Sequence, residues 1–379
     1  MLKTYKYKLY PTKAQKQMMH ETTFLCSLAY NQSLAQRKEA WEKEKKSITC
    51  YDQIKQLPDM REKDIRYQSV HSQVLQDTVS RVDKSFQNFF RRIKTGEKKV
   101  GYPRFKSARR YDSFTYPQSG FKLSSDGKKL TLSKIGEVKI KLHRKIEGKI
   151  KTLTIRRQAD GWFVCFSCEV ESNLLPSTGK VVGVDVGLEN FAITSDGEFF
   201  PPIKDLRKSE KKIKRAQREV ARRKKGSKRR KKSVWRLKHA HLRVANKRRD
   251  THHKVARKLI QRYDLIAIED LSIGNMVKNH HLAKSISDAG WYSFSLILAA
   301  KAEEAGRKVI KVDPKFTSQV CSGCGAVVKK ELKERWHSCE CGCELHRDVN
   351  AAINILTKAN NIIKLGSDGA FGDRVALAP

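Results

Sequence analysis

Each of three apolar segments of this chain carries a carboxylate: VVGVDVG (181–187), LIAIEDL (265–271) and HRDVNAAINIL (346–356). In chain order, the acids that directly follow or interrupt the apolar runs are Asp185, Glu269 and Asp348, and Asp270 follows Glu269. A carboxylate that is buried in an apolar strand without a partner costs several kcal/mol. Three such residues in one chain therefore predict a common partner. A divalent cation such as Mg²⁺ fits best, because it prefers carboxylate ligands and keeps open coordination positions.

The three acids are predicted to lie on two strands and one helix. Asp185 lies within the first strand, and Glu269 ends the second. Apolar residues follow Asp348 at helical spacing, which places it on the buried face of a C-terminal helix. Each acid alone could be a turn or cap residue, and Asp348 in particular could be an N-cap. The order Asp, Glu, Asp, however, is that of RuvC-type RNase H folds, whereas DDE transposases have Asp, Asp, Glu.

This arrangement predicts hydrolysis of a phosphodiester. We expect the three acids to hold two Mg²⁺ ions, one that activates water and one that stabilises the leaving 3′ oxygen. No general base from the protein is needed in such a mechanism.

The charge of the chain indicates which phosphodiester is cleaved. The 379 residues include 80 Lys and Arg against 40 Asp and Glu, a formal net charge of +40. A protein this basic binds nucleic acid through counterion release. An anionic membrane surface is the alternative, but no apolar run is long enough to span a bilayer and MLKTYKYKLY (1–10) does not resemble a signal peptide.

Five of the nine cysteines form the cluster CSGC-(14)-CECGC, which consists of Cys321, Cys324, Cys339, Cys341 and Cys343. Clustered thiols without a secretion signal indicate a metal site in a reducing cytoplasm, and four thiolates match one structural Zn²⁺. The first two cysteines form a clear pair. Three thiols compete for the second pair, and we favour Cys339 with Cys341, because Gly342 then mirrors Gly325. His337 and His346 are less favoured ligands.

The periodicity of the sequence predicts the remaining elements. A strand at 3–9 precedes helices at 12–45 and 69–94, and period-two runs from 113 to 171 predict a barrel-like antiparallel β domain. A new domain begins near 181 with three short strands, followed by two very basic helices. A strand, helices near 290–304, another strand, the cysteine cluster and a final helix from about 349 to 358 complete the chain.

These motifs resemble those of the TnpB family, RNA-guided nucleases of bacterial insertion sequences that are related to type V CRISPR effectors. The matching segments span nearly the whole chain: KLYPTKAQ (8–15), QVLQDTVSRVDKSFQNFF (73–90), KVGYPRFK (99–106), GVDVGLENFAITSDG (183–197), IAIEDLSIGNM (266–276), SISDAGW (285–291), CSGCG (321–325) and HRDVNAAINI (346–355).

The resemblance implies an α+β multidomain architecture. A β-barrel wedge domain carries an inserted helical recognition domain, and an RNase H-like (RuvC) α/β domain carries a zinc-ribbon insertion. The implied boundaries are wedge 1–10 and 95–178, recognition 11–94, RuvC 179–312 and 345–360 with a basic helical hairpin at 204–258, a zinc-ribbon target-loading segment 313–344, and a mobile tail 361–379.

The resemblance also implies a function. A noncoding guide RNA from the transposable element would pair with one DNA strand beside a short adjacent motif, and a single RuvC site would cut double-stranded DNA with Mg²⁺. Asp185, Glu269 and Asp348 match the catalytic acids of the family. The protein is expected to act as a monomer with its RNA in the bacterial cytoplasm, associated with the nucleoid.

Specific residues are implied to contact nucleic acid. Gln76 and Thr115 match positions that read the adjacent motif. Ser72 occupies a position that is often basic in relatives, and Tyr51 aligns loosely with a motif-reading tyrosine, so the motif preference is expected to differ. In the basic hairpin, we expect four residues to contact the guide or heteroduplex backbone: Arg222, Arg223, Lys224 and Lys225.

Three other functions compete with guided cleavage. An RNA-guided binder or repressor would share the fold but not need the acids. A DDE-type transposase would need a different order of acids. A ribosomal-type RNA-binding protein would explain the charge and the zinc site but not three acids in apolar segments. Loss of cleavage with retained RNA binding in Asp185→Ala separates the nuclease from the binding functions.

Overall fold

A computed structural model describes residues 1–97, 99–331 and 334–367 of the chain. The chain divides into two compact units, with the boundary between Glu171 and Ser172. Among the described residues, no helix combines the length and the apolar character that crossing a membrane requires.

The first unit, residues 1–171, combines a sheet with helices inserted after its first strand. Its elements are β1 (Leu2–Tyr10), α1 (Lys13–Glu44), α2 (Cys50–Lys55), α3 (Leu57–Lys63), a 3₁₀ helix (Ile65–Ser69), α4 (Ser72–Lys94), β2 (Ser113–Tyr116), β3 (Phe121–Leu123), β4 (Lys129–Leu132), β5 (Gly136–Lys141), β6 (Lys149–Gln158) and β7 (Gly161–Glu169). A capping box between Thr12 and Gln15 begins α1, and Lys45 in a left-handed conformation ends it.

The sheet of the first unit has the strand order β2-β6-β7-β1-β5-β4-β3. Its two edge strands, β2 and β3, are consecutive in the chain and are joined by the turn at 117–120. The rings of Tyr116 and Phe121 lie 6.5 Å apart across this turn. The two edge strands of the sheet therefore lie close to each other at this turn.

The second unit, from Ser172 onward, contains the three acids and the cysteine cluster. Its elements are β8 (Val181–Asp185), β9 (Ala192–Thr194), β10 (Phe199–Phe200), α5 (Asp205–Arg222), α6 (Lys228–Arg262), β11 (Leu265–Glu269), α7 (Ile273–Met276), α8 (Ala283–Ala289), α9 (Trp291–Ala305), β12 (Lys308–Val312), β13 (Trp336–Ser338), β14 (Glu344–His346) and α10 (Arg347–Ser367).

The main sheet of the second unit has the order β10-β9-β8-β11-β12. β8, β11 and β12 are parallel, and β9 and β10 are antiparallel to their neighbours. Residues on both faces of the parallel strands are buried, for example Val182, Ile266 and Ala267. Helices that return the chain between parallel strands account for this burial.

The structure corrects two predicted boundaries. The second basic helix continues past the predicted end of the hairpin at 258, to Arg262. The final helix continues past 358 to Ser367, so the part of the predicted mobile tail at 361–367 is helical, and the rest lies outside the described residues. Extending an existing helix costs little once packed residues have nucleated it, which explains why the asparagines near 360 do not end it.

Candidate active site

Strand register brings Asp185 and Glu269 together. β8 and β11 are parallel neighbours in which Val184 pairs with Ile268, and each carboxylate follows directly. Because parallel strands run in the same direction, their carboxyl ends meet at one edge of the sheet. The two acids therefore stand side by side at that edge.

The final helix brings in the third acid. α10 packs so closely on β8 that a Cβ added to Gly183 would lie 1.9 Å from the carbonyl oxygen of Ala352. Ala352 and Ile355 are fully buried in this contact. Asp348 lies in the first turn of α10, three and four residues before the buried Ala351 and Ala352, and 13% of its side chain is exposed.

The electrostatics of Asp185 reflect both other acids. Burial raises the pKa of Asp185 from 3.8 to about 8, and the nearby charges of Glu269 and Asp348 add to the rise. Burial also raises the pKa of Glu269, although a hydrogen bond from Thr317 and the charge of Lys358 oppose this. Carboxylates forced together in this way repel one another unless a proton or a cation neutralises them.

The donor set fits divalent cations. Hard carboxylate oxygens are the ligands that Mg²⁺ prefers. Among the described residues, two sets of possible metal ligands have all their ligand atoms within 4.8 Å of one another, and both contain residues of the cysteine cluster. The three carboxylates do not form such a set, so their oxygens are more widely spaced. Asp185, Glu269 and Asp348 are the residues that would hold such cations at this edge of the sheet.

The pKa of Asp185 predicts how pH affects metal-free stability. The folded state keeps a proton on Asp185 that the unfolded chain releases, so the free energy of unfolding should fall as pH rises from about 4 to about 8, by at most about 1.4 kcal/mol per pH unit. Mg²⁺ should therefore raise the melting temperature more at pH 8 than at pH 6. Thermal denaturation of wild type and Asp185→Asn measures both effects, and an identical pH dependence in the two proteins would contradict the assignment.

The cysteine cluster has the geometry of a tetrahedral zinc site. The Sγ atoms of Cys321 and Cys341 lie 3.7 Å apart, and those of Cys324 and Cys339 lie 3.6 Å apart. Four thiolates at about 2.3 Å from one Zn²⁺ have sulfurs about 3.8 Å apart. These four cysteines, the set favoured from the sequence, thus fit Zn²⁺.

The thiols of this set need a cation if all are to ionise. Burial raises the pKa of Cys321, but hydrogen bonds from His337 and nearby backbone amides outweigh it and lower the pKa to about 5. A backbone amide lowers the pKa of Cys341, but the neighbouring sulfurs outweigh it and raise the pKa to about 12. A second group, Cys321, His337 and Cys343, is also within ligand distance, so Cys343 remains a competing ligand.

The predicted motif-reading residues all lie in the first unit. Ser72 and Gln76 are exposed one turn apart on α4, and Tyr51 is exposed on α2. Thr115 differs from them, because it is largely buried and its hydroxyl bonds to Arg81 Nη2 and Thr154 Oγ1, both at 2.8 Å. The structure thus leaves the three other side chains accessible to DNA but commits the Thr115 hydroxyl to contacts within the protein.

The four basic residues lie at the tip of the helical hairpin. Arg222 ends α5, and the other three lie in the connection to α6. All four are exposed. Glu219 forms ion pairs with Arg223 at 3.8 Å and with Arg236 of α6 at 3.3 Å, which ties the two helices together near the tip.

Sequence reasoning missed three residues beside the acids. Thr317 Oγ1 donates a 2.6 Å hydrogen bond to Glu269 Oε1. Asn350 and Asn354 of α10 are buried and bind the backbone of the segment that contains Thr317. The sequence could have predicted a role for the two asparagines, because amides inside the apolar run VNAAINIL need hydrogen-bond partners when they are buried. Nothing in the sequence around Thr317 predicts a contact with the acids.

Three family models match parts of the chain. A model described as a probable transposase, of the IS605 OrfB type, matches residues 165–280. The TNB domain of Cas12f1-like proteins matches residues 291–355, which include the cysteine cluster. A helix-turn-helix model matches residues 1–46, which form the strand β1 and the single long helix α1 in this structure.

Relatives match over nearly the full length. The chain is 30% identical to the putative RNA-guided DNA endonuclease InsQ of Escherichia coli K12, over 96% of this chain and 94% of that protein. It is 34% identical to a putative RNA-guided DNA endonuclease of Streptomyces pristinaespiralis, over 93% of this chain and 88% of that protein. These matches define a class of transposon-associated, Cas12f1-like proteins. Within that class, the chain belongs to the TnpB family, also described as IS605 OrfB.

A solved structure shares the fold. The mini RNA-guided endonuclease CRISPR-Cas phi3 superimposes with a TM-score of 0.50 at 11% identity, over 95% of this chain and 92% of that one. The similarity supports the mixed α/β architecture with several sheets.

Proposed function

We propose that this chain is an RNA-guided DNA endonuclease whose catalytic acids are Asp185, Glu269 and Asp348. The observation that carries the assignment is their convergence at one sheet edge, where burial and mutual repulsion raise the pKa of Asp185 to about 8. The named activity of full-length relatives supports guided cleavage of DNA. A binding protein without cleavage would have no use for this costly cluster.

The acids would act together as a metal-binding surface. When bound, two Mg²⁺ ions supply the activation of water and the stabilisation of the leaving 3′ oxygen. The charges of both other acids raise the pKa of Asp185, so Asp185 would hold the cations together with them. Glu269 is oriented by Thr317, and Asp348 is held beside the sheet by the close packing of α10 on Gly183.

The remaining functional assignments follow from the same proposal. The partners are a noncoding guide RNA and a double-stranded DNA target beside an adjacent motif. Gln76, Ser72 and Tyr51 are exposed in the first unit and suited to direct motif contacts. Thr115 would act through Arg81, to which it is bonded. One Zn²⁺ on Cys321, Cys324, Cys339 and Cys341 would stabilise the segment 313–344.

We also keep the predicted division into wedge, recognition, RuvC and zinc-ribbon parts as a proposal. The boundary between the two compact units, at 171/172, supports the division between wedge and RuvC near 178. Action as a monomer with its RNA, in a bacterial cytoplasm, belongs to the same proposal.

Removing the charge at the hairpin tip should weaken RNA binding. Converting Arg222, Arg223, Lys224 and Lys225 to Gln should lower the affinity for guide RNA. The slope of log K against log salt concentration should become shallower by up to about 3, because each phosphate contact releases about 0.7–0.9 counterion. A variant that exchanges Arg for Lys and Lys for Arg at these positions keeps the charge and should bind like wild type. Unchanged affinity of the Gln variant at physiological salt would refute the contact.

Co-purification tests the proposed function. The protein is expressed with the native DNA that flanks its gene, and the bound nucleic acid is extracted and sequenced. We expect one dominant noncoding RNA with a variable guide end, and a reprogrammed guide should direct Mg²⁺-dependent cleavage of a matching plasmid that EDTA stops. A random mixture of host RNA and no guided cleavage would overturn the proposal.

A further inference from the structure

One face of α10 holds the segment that leads into the cysteine cluster. Asn350, Asn354 and Lys358 are spaced four residues apart, so they lie on one face of the helix. This face is distinct from the one that packs Ala352 and Ile355 against the sheet. All three polar side chains bind backbone atoms of residues 313–322, which we call the connecting segment.

The contacts of this face are specific. Asn350 donates from Nδ2 to the Val320 carbonyl at 2.7 Å and accepts from the Ser322 amide at 2.9 Å. Asn354 Nδ2 donates to the carbonyls of Thr317 and Val320, at 2.9 and 2.7 Å. Lys358 Nζ donates to the carbonyls of Asp313 and Lys315, at 3.0 and 2.5 Å. The same helix that carries Asp348 therefore fixes the backbone of the connecting segment over its whole length.

The connecting segment in turn reaches the acids through one hydroxyl. Thr317 is buried, with 4% of its surface exposed, and its Oγ1 lies 2.6 Å from Glu269 Oε1 and 3.0 Å from the Pro314 carbonyl. A hydroxyl has a single proton to donate, and the shorter distance to a charged acceptor identifies Glu269 as the acceptor. Oε1 of Glu269 therefore accepts the hydrogen bond from Thr317, and Oε2 can bind another group.

The backbone next to Thr317 is held in an unfavourable conformation. Phe316 has a φ of 61°, in the left-handed region that bulky residues rarely adopt. Its side chain is 61% exposed, so packing of the ring does not enforce this conformation. Such strain persists only where surrounding contacts over-determine it, and the bonds from Asn354 and Lys358 on either side of Phe316 supply those contacts.

We propose that Thr317 is a positioning residue for the nuclease centre, and that the polar face of α10 holds it there through the connecting segment. The inference rests on the proposed function, because it assumes that Glu269 serves catalysis. By fixing one carboxylate oxygen, Thr317 sets the direction in which the other is presented. The zinc-binding segment and the acids are thus mechanically coupled through ordered backbone.

Two substitutions at the same position isolate the hydroxyl. Thr317→Val keeps the shape but removes the donor, whereas Thr317→Ser keeps the donor. Thr357→Val is the matched control, because Thr357 is an exposed residue of α10 whose hydroxyl bonds only to its own helix among the described contacts. Single-turnover guided cleavage is measured across a Mg²⁺ titration. Hydrogen exchange of residues 313–322 is measured without Mg²⁺, so one readout is independent of activity.

We expect Thr317→Val to cut about 10–100-fold more slowly at limiting Mg²⁺, to need more Mg²⁺ for half-maximal cleavage, and to exchange faster over 313–322. Thr317→Ser and Thr357→Val should behave like wild type, and guide RNA binding should be unchanged in all three. Asn354→Leu, which removes the support rather than the hydroxyl, should shift the Mg²⁺ requirement in the same direction.

The inference would be overturned if cleavage by Thr317→Val had the same Mg²⁺ dependence as cleavage by wild type. It would also be overturned if Thr317→Ser lowered the cleavage rate as much as Thr317→Val. Failure of the proposed function would look different. In that case the wild-type protein itself would show no guided cleavage, and if only the catalytic role of Glu269 failed, Glu269→Gln would cleave like wild type.

Discussion

Asp185→Asn should lower guide-directed DNA cleavage by about 10³-fold or more, because it removes the carboxylate whose pKa both other acids raise and with it negative charge that would hold the cations. The amide has nearly the same shape, so packing at the end of β8 is kept. The amide is neutral without taking up a proton, whereas Asp185 with a pKa of about 8 must keep one in the folded state, so the metal-free protein should not lose stability at neutral pH. Single-turnover cleavage of a guide-matched duplex, beside guide RNA affinity and melting temperature, separates chemistry from folding.

The chain offers a matched control for this substitution. Asp270 directly follows Glu269, and its side chain is 67% exposed and paired with Lys311. Asp270→Asn should therefore cleave like wild type. Guided cleavage by Asp185→Asn at a rate near that of Asp270→Asn would remove Asp185 from the catalytic centre.

Loss of the zinc site should have the second largest effect. Cys321 is 1% exposed and belongs to the connecting segment, so Cys321→Ser should abolish zinc binding and unfold the region from 321 to 343. Structural zinc contributes about 10–16 kcal/mol of apparent binding energy in zinc-finger peptides, far more than this short segment can replace by packing. Cleavage should fall with it, because Thr317 loses its support. Zinc content per protein and limited proteolysis measure the two consequences.

Two further variants decide the second ligand pair. With Cys341 as a ligand, Cys341→Ser should lose zinc, whereas Cys343→Ser should retain one zinc per chain. The sulfur separations of 3.6 and 3.7 Å favour this outcome. The reverse result would assign the site to Cys343, which also lies near Cys321 and His337.

The sequence was sufficient to predict the family, and relatives that match nearly the full length confirm it. It also predicted the strands that carry Asp185 and Glu269 and the helix that carries Asp348. The reason is physical: a carboxylate in an apolar run is costly enough to stand out. Glu269 was predicted at a strand end, but Asp185 was predicted within its strand, whereas the structure places it at the end of β8.

The support of the site could not be predicted in the same way. Thr317 is one threonine among many, and its importance arises only when the connecting segment folds back on α10. The buried hydroxyl of Thr115 is a similar case, since the bond to Arg81 depends on how α4 packs against β2. The extent of α10 was also missed, because helix propagation beyond a packed core depends on context more than on local composition.

Direct observation of the metal tests the central claim most sharply. The protein is assembled with guide RNA and a non-cleavable target in Mn²⁺, and anomalous scattering locates the ions. The account predicts metal within about 2.0–2.3 Å of carboxylate oxygens of Asp185, Glu269 and Asp348. A complex in which the bound metal contacts none of these three residues, while the same protein cleaves guide-matched DNA in Mn²⁺, would contradict it.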